Sequence, residues 1–265
     1  MSDQPEGITG DLVDLYDVFV DWPGRLSREM PGVRAQLDAI GARRVLDIGC
    51  GTGRHIQAMR EAGYEAFGTD VSPQMLERAA AATGAAEWFV PWRLGDPPAP
   101  ALSRLGPFDA ITCLGNVWPQ VVSNGAVQRA AGDMFELLRP GGLLLMGLKA
   151  VAIRRERDQP YMPLLRREHE GRPIYFIRVV DFDVPAGSDG QPLCDFHMIV
   201  VRGDGASTTT ADLHDAHRIR VWSPPDLERT FTRAGFEHVA VSGSLADAGA
   251  VVQGEDVFVH ARRPA

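Results

Sequence analysis

Three glycines, Gly49, Gly51 and Gly53, fall in the run Val45-Leu46-Asp47-Ile48-Gly49-Cys50-Gly51-Thr52-Gly53-Arg54-His55, between a short apolar strand and a helix. Backbone without side chains at such a turn lets a ligand lie against the chain and meet N–H groups at the helix N-terminus. A dinucleotide-binding turn has the spacing G-x-G-x-x-G, its third glycine admitting a pyrophosphate. Here the third glycine comes one residue early, and Asp47 occupies the strand end. A carboxylate there repels phosphates but accepts hydrogen bonds around an amino group. Asp70 lies 17 residues beyond Gly53, at the end of a second strand, where an acid can take both hydroxyls of a ribose. Together these residues predict a nucleoside ligand whose tail carries an ammonium. The same spacing and the same Asp47 disfavour an NAD-dependent dehydrogenase.

Other side chains suit proton transfer or anion binding. An unperturbed imidazole titrates near neutral pH, which makes His55, His197 and His217 candidate general bases. His55, on the helix after the turn, reads as a surface or helix-packing residue, leaving His197 and His217 as catalytic candidates. Arg178 can hold a substrate carboxylate through a bidentate pair, and Tyr175 shares its predicted strand. Asp109, at a strand start, reads as structural. Cys50, Cys113 and Cys194 are widely spaced. They offer neither a disulfide framework nor a C-x-x-C zinc pattern, and no metal is expected.

These residues need elements to position them. Asp11 to Phe19 and Arg25 to Ile40 carry apolar residues at helical spacing, broken near Trp22-Pro23-Gly24. Strands are then predicted at 45–48, 65–69, 88–90, 109–114 and 143–148, with helices from the turn to Ala62, from Ser72-Pro73 to Thr83, and over 126–138. Regular βαβ alternation predicts a parallel sheet covered by helices on both faces. Past residue 150 the pattern changes to strands at 175–184, 193–202 and 208–222 without intervening helices. A helix from Ser223-Pro224 to Gly235 and strands at 237–241 and 256–260 complete the sheet. Residues 1–42 therefore read as an N-terminal helical piece, 43–150 with 223–265 as the core, and 151–222 as an antiparallel β insertion.

Composition narrows the function. The 265 residues carry a net charge of −8, which disfavours a nucleic-acid footprint built on clustered positive charge. The Arg/Glu/Asp mixtures at 154–158 and 166–168 read as a solvated helix face. The longest apolar run, Gly141 to Leu148, is too short to span a membrane. The acidic, Gly-rich Met1–Gly10 does not resemble a secretory signal, so a cytoplasmic location is expected.

Several stretches resemble the class I S-adenosylmethionine-dependent methyltransferases. Asp47-Ile48-Gly49-Cys50-Gly51-Thr52-Gly53 matches their first motif, and Thr69-Asp70-Val71-Ser72-Pro73-Gln74-Met75-Leu76 their ribose-binding segment. Phe108-Asp109-Ala110-Ile111, Leu137-Leu138-Arg139-Pro140-Gly141-Gly142 and Trp222-Ser223-Pro224-Pro225-Asp226-Leu227 resemble later motifs. Cys113-Leu114-Gly115-Asn116, with Tyr16-Asp17, Asp21-Trp22 and Arg25, is similar to the glycine/sarcosine N-methyltransferase-like enzymes. The resemblance implies an α/β, doubly wound, seven-stranded and mostly parallel Rossmann-like sheet with an N-terminal helical lid and an antiparallel β insertion over the substrate site. It implies S-adenosylmethionine as cofactor and S-adenosylhomocysteine as product. Tyr16, Trp22 and Arg25 would approach the methionine end, with Arg25 pairing its carboxylate. Cys50, Val71, Met75 and Trp92 would line the nucleoside, while Leu114 and Asn116 would stand by the transferred methyl. Trp118 and Gln120 would face the acceptor, with Asn116 a third catalytic candidate.

Two positions depart from the pattern. Pro91-Trp92-Arg93 replaces the acid that commonly reads the adenine amino group, and Gln120 replaces a histidine found in glycine-methylating relatives. The expected reaction is methyl transfer to a nitrogen, with oxygen second, of a small metabolite. The rival reading is a non-catalytic sensor or scaffold that binds the same nucleoside. The acceptor's identity and any homo-oligomeric state are left open.

Overall fold

A computed structural model describes residues 11–202 and 210–265, with side chains omitted at residue 11 and 210–214. The expectations for residues 1–10 and for a strand beginning at 208–209 lie outside the described residues. The helices are α1 Asp11–Phe19, α2 Trp22–Ala39, α3 Arg54–Glu61, α4 Pro73–Thr83, α5 Pro100–Leu105, α6 Asn124–Leu137, α7 Val151–Glu156 and α8 Pro224–Arg233. The strands are β1 Arg44–Ile48, β2 Glu65–Asp70, β3 Phe89–Pro91, β4 Phe108–Cys113, β5 Leu138–Lys149, β6 Leu165–His169, β7 Arg172–Asp181, β8 Leu193–Arg202, β9 Thr210–Arg220, β10 Glu237–Ser242 and β11 Asp256–Arg262.

Local chemistry sets the helix starts. The hydroxyls of Ser72, Ser123 and Ser223 accept the N–H groups of Met75, Ala126 and Asp226, and Pro73 and Pro224 sit where a missing N–H costs nothing. The buried stretches of β1, β2, β4 and β5 are largely apolar, as strands covered on both faces must be.

Seven strands pair in the order β10-β11-β5-β4-β1-β2-β3, with β11 antiparallel to both neighbours. This is the expected doubly wound, mostly parallel sheet. Register brings Ile48 of β1 beside Thr69 of β2 and Asp47 beside Thr112 of β4, so these strands end at one edge. In such sheets ligands bind outside that carboxyl edge. Trp118, Trp222 and Phe231 anchor the core on one side of the sheet, each worth several kcal/mol by burial, about 3–5 kcal/mol if truncated to Ala.

The second sheet is antiparallel, in the order β6-β7-β8-β9. Its first strand corrects the sequence reading: Arg166, Arg167 and Glu168 lie in β6, not on a helix face. The charges of Arg166 and Glu168 alternate outward along the strand, and that alternation is easily taken for a solvated helix. Short α5 also escaped the sequence reading. Among the described residues, no helix is long and apolar enough to cross a membrane.

Candidate functional site

Beyond β1 the chain turns through Gly49, Gly51 and Gly53 at φ of 72°, 55° and 77°, a left-handed region that other residues adopt only under strain. The N–H groups of Gly49 and Cys50 both donate to the Thr69 carbonyl, at 2.7 and 2.9 Å, pinning the turn to β2. The three glycines serve different ends. A Cβ on Gly49 would fall 2.2 Å from Val117 Cγ2, and one on Gly53 2.9 Å from Ala79 Cβ, so these two make room for packing. Gly51 instead faces the Tyr16 ring, 3.3 Å from where its Cβ would be. Gly51 is therefore where the turn meets α1 through Tyr16 and β2 through Asp70.

Asp70 adjoins it. Its two carboxylate oxygens accept the N–H groups of Gly51 and Ser72, each at 2.9 Å, and each oxygen keeps acceptor capacity for a hydroxyl. Burial pushes the Asp70 carboxyl up, and the backbone N–H groups pull it back. Asp47 is 1% exposed and accepts the Thr112 hydroxyl at 2.7 Å. Burial raises its carboxyl as well, against the pull of the nearby His55 and Arg25 charges.

The N-terminal helices close this edge through two carboxylates that the sequence reading passed over. Asp17 of α1 accepts hydrogen bonds from Trp22 Nε1 (2.8 Å), Thr52 Oγ1 (2.7 Å) and Arg54 (2.6 Å). These partners hold its carboxyl below the usual range although burial opposes them. Glu29 of α2 accepts Arg25 Nε at 3.0 Å and pairs with His55 Nε2 at 2.7 Å. Tyr16, hydrogen-bonded to Arg25, sits over the glycine turn, its phenol raised mainly by burial. His55 thus takes the helix-packing side of its expectation: it is 4% exposed and bonded to a carboxylate of α2.

After β4, Gly115 and Asn116 both take positive φ. Asn116 Oδ1 accepts the Lys149 N–H at 3.0 Å, tying this loop to the end of β5, and Gln120 Nε2 donates to the Asn116 carbonyl at 3.5 Å. Arg25 reaches across to Gly115, its terminal nitrogen 3.1 Å from where a Cβ would stand. Leu114, Cys50 and Met75 are buried around the turn and Val71 is half-buried at its rim. Burial raises the Cys50 thiol far above its ordinary value.

Two aromatic expectations need correction. Trp118 is 0% exposed and packs on Trp222 and Phe231, so it is core, not acceptor wall. Trp92 is buried in the same cluster with its indole N–H on the Asp96 carbonyl, 3.0 Å away, which commits the ring to packing and not to adenine. In both cases an aromatic beside a binding motif meets a helix before it meets a ligand.

The second sheet separates the remaining candidates by strand alternation. Ile174, Phe176, Met198 and Val200 pack on Leu12 and Leu15 of α1, and Val180, Cys194 and Ile219 on Val151 of α7. Arg178 and His217 share that inner face, by their register opposite Met198 and Phe196. His217 stacks on Phe196 at 5.3 Å and its Nδ1 lies 3.3 Å from Asp215. Burial lowers the Arg178 guanidinium, which donates to the Pro163 carbonyl at 2.9 Å. Tyr175 and His197 project from the opposite face, where His197 lines an open groove of about 510 Å³ with Asp158, Asp181 and Ile199. Strand alternation therefore puts Arg178 and His217 on the face packed against α1 and α7, and Tyr175 and His197 on the opposite face.

Residues 45–142 match a methyltransferase domain model. Over this segment the chain is similar to methyltransferase domains. A glycine/sarcosine/dimethylglycine N-methyltransferase of Actinopolyspora halophila is 32% identical over 145 residues, 52% of this chain and 24% of that protein. The chain thus spans about a quarter of this relative's length. Two solved structures share the fold over nearly the whole chain. A methyltransferase from Clostridium acetobutylicum ATCC 824 has a TM-score of 0.73 at 12% identity, covering 96% of this chain and 98% of its own. The sugar N-methyltransferase KedS8 from Streptoalloteichus sp. ATCC 53650 has a TM-score of 0.70 at 20% identity, covering 100% and 99%. The matched segment holds Asp47, the glycine turn, Asp70 and Asn116. Both N-terminal helices and the antiparallel sheet lie outside it.

Proposed function

We propose that this protein transfers a methyl group from S-adenosylmethionine to a neutral amine nitrogen of a small molecule. One observation supports the reading: at the carboxyl edge of the sheet Asp70 accepts the Gly51 N–H, Asp47 lies at the end of β1, and Arg25 reaches Gly115 in the loop after β4. That set of groups suits a ribose, an ammonium and a carboxylate, the polar parts of an adenosyl amino acid. When bound, the cofactor supplies an electrophilic methyl on a sulfonium.

The chain's own residues then align and shield. Asp70 would hold the ribose diol, Asp47 would face the ammonium and Arg25 the carboxylate, with Tyr16 closing over the turn. Holding two reactants in line can lower a barrier by about 7–11 kcal/mol, and alignment is the main demand of such a transfer. The residues at 1–42 act as a lid, 43–150 with 223–265 as the cofactor-binding core, and 151–222 as the acceptor cover. On that cover His217, whose Nδ1 meets Asp215, would accept the proton an amine sheds, and Arg178 would bind an acceptor anion. Glycine/sarcosine N-methyltransferases match over more of this chain (51–52%) than ubiquinone-biosynthesis O-methyltransferases do (43%), which supports nitrogen over oxygen.

The test is a panel of primary and secondary amines, amino sugars and amino acids, alongside phenols, with S-adenosylhomocysteine release as the readout. Stoichiometric release with an amine is the expected result. Turnover only with phenols would overturn the nitrogen assignment. Binding of cofactor without any turnover would favour the sensor reading.

A further inference from the structure

Arg25 lies four residues before Glu29 in α2, so both project from one face of the helix. Its Nε donates to both Glu29 oxygens, at 3.0 and 3.1 Å. The second of these oxygens is also 2.7 Å from His55 Nε2 on α3. The Trp22 ring closes the cluster: the His55 ring meets it edge-on at 5.5 Å, and the Arg25 guanidinium stands 5.2 Å from its centre. This chain links the N-terminal helices to the helix that follows the glycine turn.

The geometry of the guanidinium gives the chain a purpose beyond holding two helices together. With Nε engaged by Glu29, the terminal nitrogens are turned from α2 toward Gly115 and Tyr16. Two terminal nitrogens in one plane form the fork that matches a carboxylate. Gly115 has no side chain, so the guanidinium packs close on its backbone, where a Cβ would stand 3.1 Å from a terminal nitrogen. Burial has the larger effect on the Asp47 carboxyl and raises it, while the Arg25 charge lowers it.

We propose that Glu29 and His55 are positioning residues that fix Arg25 with its fork presented to the carboxylate of the cofactor's amino-acid tail. The proposal rests on the cofactor assignment made above. An arginine on a free side chain must lose rotamer freedom when its ligand arrives; one already fixed through Nε does not. Glu29 supplies the fixing contact and His55 keeps the Glu29 carboxylate from swinging away.

A merely structural ion pair would affect every ligand of the cleft alike, and this one should not. Binding of S-adenosylhomocysteine and of its decarboxylated analogue, 5′-(3-aminopropylthio)adenosine, is measured by calorimetry on the full chain. Both keep the nucleoside and the ammonium; only the first has the carboxylate. His55→Leu is expected to weaken S-adenosylhomocysteine about tenfold, the scale of one charge-assisted hydrogen bond, and to leave the analogue unchanged. His55→Gln retains an N–H donor and should recover most of the loss. Glu29→Gln should show the same selective loss, and it carries the test if His55→Leu fails to fold. Equal losses for both ligands, or no loss for either, would overturn the proposal while leaving the cofactor assignment intact. A wild-type chain that binds neither ligand overturns both.

Discussion

Two backbone N–H groups already orient the Asp70 carboxylate, so on the proposed function a ribose would meet acceptors that need no rearrangement. Removing it in Asp70→Ala should weaken S-adenosylmethionine binding by about tenfold to a hundredfold, since hydrogen bonds to a charged group are each worth about 1.5–3 kcal/mol. An unchanged dissociation constant would remove the ribose assignment. His217 carries a separable prediction: His217→Ala should lower kcat by about 10²-fold, the lower range for general-base loss, with cofactor affinity unaltered. An unaltered kcat would exclude it as the base. The cofactor residues were legible because their spacing is local: Asp47, the glycines and Asp70 lie within 24 residues of sequence. Glu29 and His55 were not, because they meet only when α2 folds across α3. His197 and His217 looked equivalent in sequence, since nothing in either strand says which face of the second sheet turns toward the core.

At the scale of elements, α1 is fastened to the glycine turn through Asp17, whose single carboxylate gathers a tryptophan, a hydroxyl and a guanidinium. Those partners lower its folded-state pKa. A depressed carboxyl stabilises the fold above its unfolded value, about pH 4, and loses that contribution as pH falls through the folded value. Asp17→Asn should therefore be less stable than wild type at neutral pH, and the gap should close on acidification toward pH 3. Thermal unfolding of both proteins across that range is the measurement; a gap constant with pH would show that the Asp17 charge plays no part. The helices capped by Ser72, Ser123 and Ser223 were readable because cap and proline signals precede an apolar period. Strand β6 was not, since its arginines and glutamate carry the charge pattern of an exposed helix and only pairing with β7 settles its conformation.

The whole molecule is two sheets with a shared border. The seven-stranded sheet offers its carboxyl edge, the N-terminal helices lie over the glycine turn, and the antiparallel sheet contributes an inner face bearing Arg178 and His217. The segment that matches the methyltransferase domain ends at residue 142, before the antiparallel sheet begins. On the proposed function the matched segment holds the cofactor residues, and the antiparallel sheet, whose fold the solved structures share, would supply the acceptor residues. That division explains why the sequence pointed to a cofactor and stopped short of an acceptor: one is encoded in a turn, the other in surfaces that assemble from distant strands. The most direct test of the account is titration calorimetry of the full chain with pure S-adenosylmethionine. Saturable binding at one site per chain, with a matching rise in thermal stability, is the predicted result; no heat and no thermal shift would contradict it.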